Sequence, residues 1–314
     1  LIPLAPRNEI DLAAAWRLSR VLKQYRPDIV HAHDPHGVAM AATALSIISL
    51  SPSPALVASR RIEYRIGHNS FSRWKYDQVD CFIAISEAVR ERLVADGMPR
   101  TKIRVVHEGV DVERIVHLPP ANVHAAFFLP THAPIVGNIG ALVTQKGQHH
   151  LIDAAAIVVR HIPDVRFVIA GEGELRPQLE DQIKRKHLER HVFLAGFRAD
   201  ALELLKGFDL FALSSLHEGM CTSLVDAMAA SKAAVATAVG GVPEVMADGE
   251  TGYLVPAKDH DAMAQRIIEL LQHESLRRRM GEAALQRARA RFTVERMVKG
   301  TIDVYEHIRA HAWS

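Results

Sequence analysis

Apolar residues along this chain fall into two alternating kinds of run. Short compact runs at 28–34, 55–60, 81–86 and 103–109 predict buried strands. Between them, 11–25, 37–48, 72–77 and 87–96 carry apolar positions at three- and four-residue spacing and predict helices. A break follows, Leu118-Pro119-Pro120 and on to Pro130 and Pro134, which predicts loop. The alternation then restarts, with strands predicted at 135–142, 165–171, 192–196, 208–215, 233–239 and 252–255. Helices are predicted at 147–161, 174–186, 200–206, 222–231 and 259–271, and a last one at 293–311. The arginine-rich run 277–291 suits a solvated helix face better than a nucleic-acid arm. Alternation of this kind predicts an α/β fold, with parallel sheets, helices on both faces and right-handed crossovers. Two units meeting near residue 120 make two Rossmann-like domains, 1–120 and 121–292, with 293–314 expected to pack across their junction. Ligand is expected at the carboxyl ends of the strands, in the cleft between the domains.

Composition adds exclusions. The chain has 314 residues, 48% hydrophobic and 24% charged, with a net charge of +2, so nothing in it favours nucleic acid as a partner. Its two cysteines, Cys81 and Cys221, make no disulfide framework and suit a reducing cytoplasm. The longest apolar run, 38–50, contains Thr43, Ser46 and Ser49 and falls short of the roughly 20 residues that span a bilayer. The chain begins at Leu1 rather than methionine, with the expectation that its natural N-terminus is missing.

Chemistry concentrates in residues 214–232, SSLHEGMCTSLVDAMAASK. A strand end leads into the loop His217-Glu218-Gly219 and then a helix, with Thr222 or Ser223 as candidate cap. Leu224, Ala227 and Met228 make its apolar face; Thr222, Ser223 and Asp226 share another. Such a helix start offers free N–H groups and two hydroxyls, with a carboxylate one turn on and Glu218 just ahead. That set suits a nucleoside diphosphate sugar: diphosphate on the helix N-terminus, ribose on Asp226, sugar hydroxyls on Glu218. A capped helix with a solvent-facing Asp is the plainer alternative.

Other strand ends carry matching signals. Asn138 to Gly147 is a strand, a loop with Lys146 and a helix start, where a lysine can meet a phosphate. Gly171 and Gly173 end another strand and allow close backbone approach to a ligand. Arg176 stands where a dinucleotide fingerprint needs its third glycine. Leu194 to Phe197 offers backbone groups for a nucleobase edge. Gly240-Gly241 and Asp248-Gly249 mark tight turns, the second a structural one.

In order, these motifs resemble the retaining glycosyltransferases of GT-B family 4. The series is Lys146-Gly147, Gly171-Glu172-Gly173, Gly196-Phe197, Glu218-Gly219 with Asp226-Ala227-Met228-Ala229, Gly240-Gly241 with Glu244, and Asp248-Gly249 with Gly252. It covers residues 134–257 closely and the remainder loosely. The resemblance implies a GT-B fold with two Rossmann-like domains, the N-terminal one lacking its first strand–helix unit here. It implies that Lys146 and the Thr222/Ser223 helix start hold the donor diphosphate. Glu218 would contact the donor sugar, Met220, Cys221 and Thr222 would offer it backbone N–H groups, and Asp226 would bind ribose. The substrate-binding set then also includes Gly171, Gly173, Gly196 and Phe197, and the catalytic set is His33, Lys146 and Glu218. It implies a UDP-, GDP- or ADP-sugar donor, no metal and no cofactor. The acceptor is a hydroxyl, with lipid-linked sugar or cell-surface glycan assembly on the inner face of the membrane as the setting. Asp226 replaces the usual Glu, Ala141 a frequent Arg, and Ser231 a usual Gly.

The resemblance places a histidine at the end of the 28–34 strand facing the cleft; His33 is the choice, and on a strand His31 shares its face. His31, His33 and His36 also have the H-x-H-x-x-H spacing of a zinc hydrolase, with Pro35 where that signature has Asp. A non-catalytic nucleotide-sugar-binding fragment is a second alternative. Asp259-His260-Asp261 looks like a D-x-D metal motif, but its place before a helix favours capping. Cys221 at a helix start is a candidate for a lowered thiol pKa. Arg61, Tyr64, Arg65, Phe71, Arg73 and Trp74 mix cations and aromatics and suit an anionic acceptor, a membrane surface or a plain solvated loop.

Overall fold

The computed structural model describes residues 2, 4, 11–61, 65–67 and 69–311. Tyr64, and with it part of the basic and aromatic segment, lies outside them. The described chain forms two compact units, Leu1–His107 with Met297–Ser314, and Glu108–Arg296. The first unit's leading segment ends at His107 and the second unit begins at Glu108.

In the first unit, β1 (Ile29–Ala32), β2 (Ala55–Arg60), β3 (Cys81–Ala84) and β4 (Ile103–Val105) lie side by side in that order, all parallel. Each helix between them starts on a polar cap that accepts a backbone N–H: Asp34 from Gly37, Asn69 from Ser72, and Ser86 from Val89. The final helix, Val294–His311, lays Val304, Tyr305 and Ile308 on Ala55, Val57, Cys81 and Ile83 of this sheet. Most of its length thus belongs to the first unit's core. No described helix is long and apolar enough to cross a membrane.

The second unit holds β5 (Ile135–Ile139), β6 (Arg166–Ala170), β7 (Val192–Gly196), β8 (Leu210–Leu213), β9 (Ala234–Thr237) and β10 (Gly252–Val255). Their order is β10-β9-β8-β5-β6-β7, again all parallel. The chain winds outward from β5 to β7, returns to the other side of β5 with β8, and winds outward again. Every predicted strand is present, and several are shorter than their apolar runs because the ladder ends before the apolar residues do. Phe208 explains one glycine: a Cβ on Gly137 would sit 1.8 Å from its ring. The core is mostly aliphatic, with Ile152, Val158, Leu210 and Ile267 fully buried around the aromatic Phe167.

Two segments differ from their sequence reading. Just before the proline-punctuated break Val112–His117 is a short helix, and within the break so is Val123–Ala126; Asp111 and Asn122 start them by accepting from the N–H groups of Arg114 and Ala125. A single turn is too short to show periodicity, so only its cap betrays it. The arginine-rich run is one helix, Glu274–Arg291, whose arginines do more than face water. Arg277 donates to the Leu270 and Leu271 carbonyls, at 2.7 and 3.2 Å, and Arg287 to those of Val245 and Glu244, at 2.7 and 2.9 Å. Both arginines therefore satisfy the open carbonyl ends of other helices.

The helix Thr222–Ala229 ends in a two-bond cap in which Ser231 N–H meets Met228 O and Lys232 N–H meets Ala227 O. Ser231 is left-handed there, with φ +58°. A residue with a Cβ is strained in that region by about 1–2 kcal/mol, part of which glycine returns through its larger unfolded-state entropy. Ser231→Gly should raise stability by about 0.5–1 kcal/mol in urea unfolding; an unchanged or lower midpoint would show that the serine is not strained.

Candidate functional site

The switch of winding direction puts β5 and β8 side by side, and their loops leave the same edge of the sheet. In open parallel sheets this is where a crevice for ligand forms. Lys146 follows β5 and Glu218 follows β8. The strands pair through Val136–Leu210 and Gly137–Phe211. One residue on, Asn138 Nδ2 donates to the Ala212 carbonyl at 2.8 Å.

The two loops are then stitched together. Leu216 N–H meets the Gln145 carbonyl at 2.7 Å, and the Ser214 hydroxyl meets the Lys146 carbonyl at 3.1 Å. Gly147 has φ +59°, and a Cβ on it would lie 2.3 Å from the Ser214 carbonyl oxygen. Glycine is what lets the loops approach this closely. The result is a direct ion pair: Lys146 Nζ donates to Glu218 Oε1 at 2.7 Å. The Ser215 hydroxyl donates to the same oxygen at 2.6 Å. Glu218 is 8% exposed and Ser215 fully buried. Ser215 is held in turn, its carbonyl accepting from Thr237 Oγ1 at 2.6 Å. The lysine stem lies beside Gly140, where a Cβ would meet it at 3.6 Å, an ordinary van der Waals contact.

Burial lowers the lysine pKa, but the neighbouring Cys221 and Glu218 groups and the hydrogen bond to Glu218 outweigh it, and the net direction is upward. Burial also pushes the Cys221 thiol up, to about 11, with the Glu218 charge adding to it. The expectation of a lowered thiol pKa is thus reversed: the sulfur is sealed in, and a desolvated thiolate is costlier than the helix start can offset. At neutral pH the thiol keeps its proton, so the charge facing Lys146 is Glu218.

Cys221, not Thr222 or Ser223, occupies the N-cap position of the helix Thr222–Ala229, and it makes no side-chain cap bond. The Ser223 hydroxyl lies 3.3 Å from the Cys221 sulfur. The N–H groups of Met220, Cys221, Thr222 and Ser223 meet no acceptor among the described residues. They remain available to an anion. One turn on, Asp226 is half-buried and its carboxylate makes no hydrogen bond or ion pair among those residues; burial raises its pKa to about 6.

Packing between neighbouring loops requires glycine at 171 and 173. A Cβ on Gly171, at φ +147°, would lie 2.0 Å from the Gly140 carbonyl oxygen, and one on Gly173 would lie 2.3 Å from that of Leu142. The glycines admit neighbouring backbone. Leu142 N–H meets the Glu172 carbonyl, Gly171 N–H that of Gly196, and Gly241 N–H that of Glu218. The loops at this edge are bonded from β7 through β6, β5 and β8 to the turn after β9. Phe197 stands at the end of the series, 74% exposed. The turn at Asp248 is structural as expected: a carboxylate oxygen accepts from Leu254 N–H at 2.8 Å.

His33 belongs to the first unit, just past β1, and is exposed. His31 shares its face, the rings 4.1 Å apart. Both ring nitrogens of His31 are taken, by the Tyr305 and Ser59 hydroxyls at 2.6 and 2.8 Å. Burial, then His33, lowers its pKa to about 4, so it is neutral at ordinary pH. His31, His33 and His36 do not converge on a metal position among the described residues, which removes the zinc-hydrolase alternative. Asp259 is a cap, its carboxylate accepting from Ala262 N–H at 2.9 Å. Sequence reasoning gave no role to Ser215; two serines closing an apolar strand were the available signal.

Residues 121–287 match the family Glycosyl transferases group 1, and residues 1–114 match Glycosyltransferase Family 4. The chain belongs to this glycosyltransferase family. This glycosyltransferase is 29% identical over 96% of its length to EpsD of Bacillus subtilis, named a glycosyltransferase, and covers 82% of it. It is 26% identical over 94% of its length to the N-acetyl-alpha-D-glucosaminyl L-malate synthase of Bacillus anthracis, covering 78% of that protein. Its fold is that of Anabaena HepE, crystallised with UDP, with a TM-score of 0.83 at 24% identity, covering 95% of this chain and 82% of that one. The family and the two sheets together make the fold GT-B, as the motif series implies.

Asp226 sets a pH dependence in the glycosyltransferase. Its carboxyl titrates near 3.9 unfolded and at about 6 folded. Between those values the folded chain keeps a proton that the unfolded chain has lost, so this group's contribution to stability falls as pH rises through about 6. Asp226→Asn should unfold at a higher temperature than the parent at about pH 8, with the gain fading towards about pH 4. A Tm difference that stays constant across that range would refute the burial penalty.

Proposed function

We propose that this glycosyltransferase moves a sugar of the hexose type from a nucleoside diphosphate sugar to an acceptor hydroxyl, with retention of configuration. The observation that carries this reading is the contact between Lys146 and Glu218 at the strand switch point, beside a helix start with open N–H groups. Without donor, each charge is the other's partner. A diphosphate gives Lys146 and the helix start an anion to hold, and the sugar hydroxyls give Glu218 donors to accept from. The ion pair is exchanged for two sets of ligand contacts, so neither buried charge is left bare.

Retention needs no nucleophile on the protein. The C1–O bond to the leaving phosphate breaks, and the acceptor oxygen bonds to C1 on the same face. The departing phosphate oxygen takes the acceptor's proton. The chain then contributes position and charge stabilisation on the leaving diphosphate. Lys146 and the N–H groups of Met220 to Ser223 supply the charge, Glu218 fixes the sugar and Asp226 takes the ribose hydroxyls. His33, exposed and tilted against a neutral His31, is the catalytic histidine that the first unit supplies. HepE has also been crystallised with UDP-glucose, which supports a uridine donor as the first to test. A lipid-linked or cell-surface glycan acceptor at the inner face of the membrane completes the reading.

A thermal-shift panel of UDP-, GDP- and ADP-sugars tests the donor, because a bound ligand raises Tm by mass action. Lys146→Ala and Glu218→Ala should each lower turnover by about 100-fold or more. Glu218→Gln, which keeps the shape, should lose most of the rate while keeping the parent's Tm within a few degrees. Turnover near the parent's in any of the three would overturn these roles, and products of inverted configuration would overturn the retaining mechanism.

A further inference from the structure

Away from the donor residues, the second unit brings together two imidazoles and a carboxylate. His150 lies in the first turn of the helix Gln148–His161, and Asp153 follows it at three-residue spacing on the same face. His260 is the first residue of the helix His260–Gln272, which packs against Gln148–His161. One ligand atom from each of the three lies within 4.8 Å of the others. All three residues are half-buried.

We propose that His150, Asp153 and His260 form a binding site for a divalent transition metal, with Zn²⁺ as the best match. Two imidazole nitrogens and one carboxylate oxygen make a three-ligand zinc set that leaves a fourth position to water. The nitrogen content favours Zn²⁺ and Ni²⁺ over Mg²⁺ and Ca²⁺, which want oxygen ligands. Metal–ligand bonds of about 2.0–2.2 Å require the three atoms to draw together by on the order of 1 Å. Side-chain rotation supplies that without moving either helix.

Two further features support the site. One is that Asp153 is held from behind: its Oδ1 is ion-paired with Lys186 Nζ at 2.8 Å and accepts from Gln182 Nε2 at 2.9 Å, and its Oδ2 makes no hydrogen bond among the described residues. Outer contacts of this kind orient a metal-binding carboxylate. The other is spacing: His150 and Asp153 stand three residues apart on one face of the helix Gln148–His161, so one ion can meet both. The charges facing the set are Asp153 and Asp261 on one side and Lys186 and Lys258 on the other. The two lysines oppose a dication, which places the affinity in the micromolar range rather than that of four-ligand structural zinc. A bound ion would clamp the start of Gln148–His161, three residues after the Gly147 turn that carries Lys146, to the start of His260–Gln272.

The test uses the full chain and Zn²⁺ itself. Isothermal titration should show one saturable Zn²⁺ per chain and none for Mg²⁺. At a hundredfold excess over Kd, Zn²⁺ should raise Tm by roughly 5 °C or more. His150→Ala and His260→Ala should each weaken binding at least tenfold, and His149→Ala should leave it intact. A readout that needs no variant is protection of histidines from diethyl pyrocarbonate: Zn²⁺ should shield His150 and His260 and leave His117 reactive. Absence of saturable binding, equal binding by the alanine variants, or modification of His150 and His260 unaffected by Zn²⁺ would each overturn the site.

Discussion

The second unit is organised around two opposite charges that have been taken out of water together. Removing a lysine and a glutamate from solvent is costly unless each finds the other at good geometry. At 2.7 Å, with the Ser215 hydroxyl on the same carboxylate oxygen, that condition is met. The requirement propagates outward. For the two side chains to meet, the loops after β5 and β8 must touch, and for the loops to touch, β5 and β8 must be neighbours. The return of the chain across β5 is therefore the topological condition for the site. The same pair makes the site responsive to a ligand. A diphosphate and a sugar can take over the two partners without exposing either charge to an apolar interior.

Precision at this edge comes from backbone rather than side chains. Gly147, Gly171 and Gly173 each give up a Cβ so that a neighbouring carbonyl can approach, and N–H groups of Leu142, Gly171, Leu216 and Gly241 close the remaining gaps. Backbone held on both sides has little freedom to lose when ligand binds. That preorganisation is what a transferase needs when its contribution is position and fixed charge. Asp226 and the open N–H groups near residues 220–223 are the exceptions, polar groups left without a protein partner. Unsatisfied polar groups are expensive in a fold and cheap at a binding site, where the ligand supplies the partner.

In the first unit the polar effort goes into support. His31 is tied to Ser59 on β2 and to Tyr305 on the last helix, so its imidazole is a buried neutral strut under the exposed His33. The last helix belongs to this sheet's core through Val304 and Ile308. The chain thus leaves the first unit at residue 107 and returns to it at 297.

The sequence by itself determined the elements and their class. Every strand was visible as an apolar run and the longer helices as periodic stretches, because burial acts on each segment locally. The spacing of motifs at strand ends was enough to name the family and to bring together Lys146 and Glu218, which meet at 2.7 Å. Three things waited for the tertiary structure. The glycines at 171 and 173 make room for neighbouring loops, since what fills the space beside a missing Cβ comes from elsewhere in the chain. The Cys221 thiol rises instead of falling, since burial depends on everything packed around it and the helix start is only one term. The convergence of His150 and Asp153 with His260, more than 100 residues apart in sequence, follows from two helices packing, which no local pattern encodes.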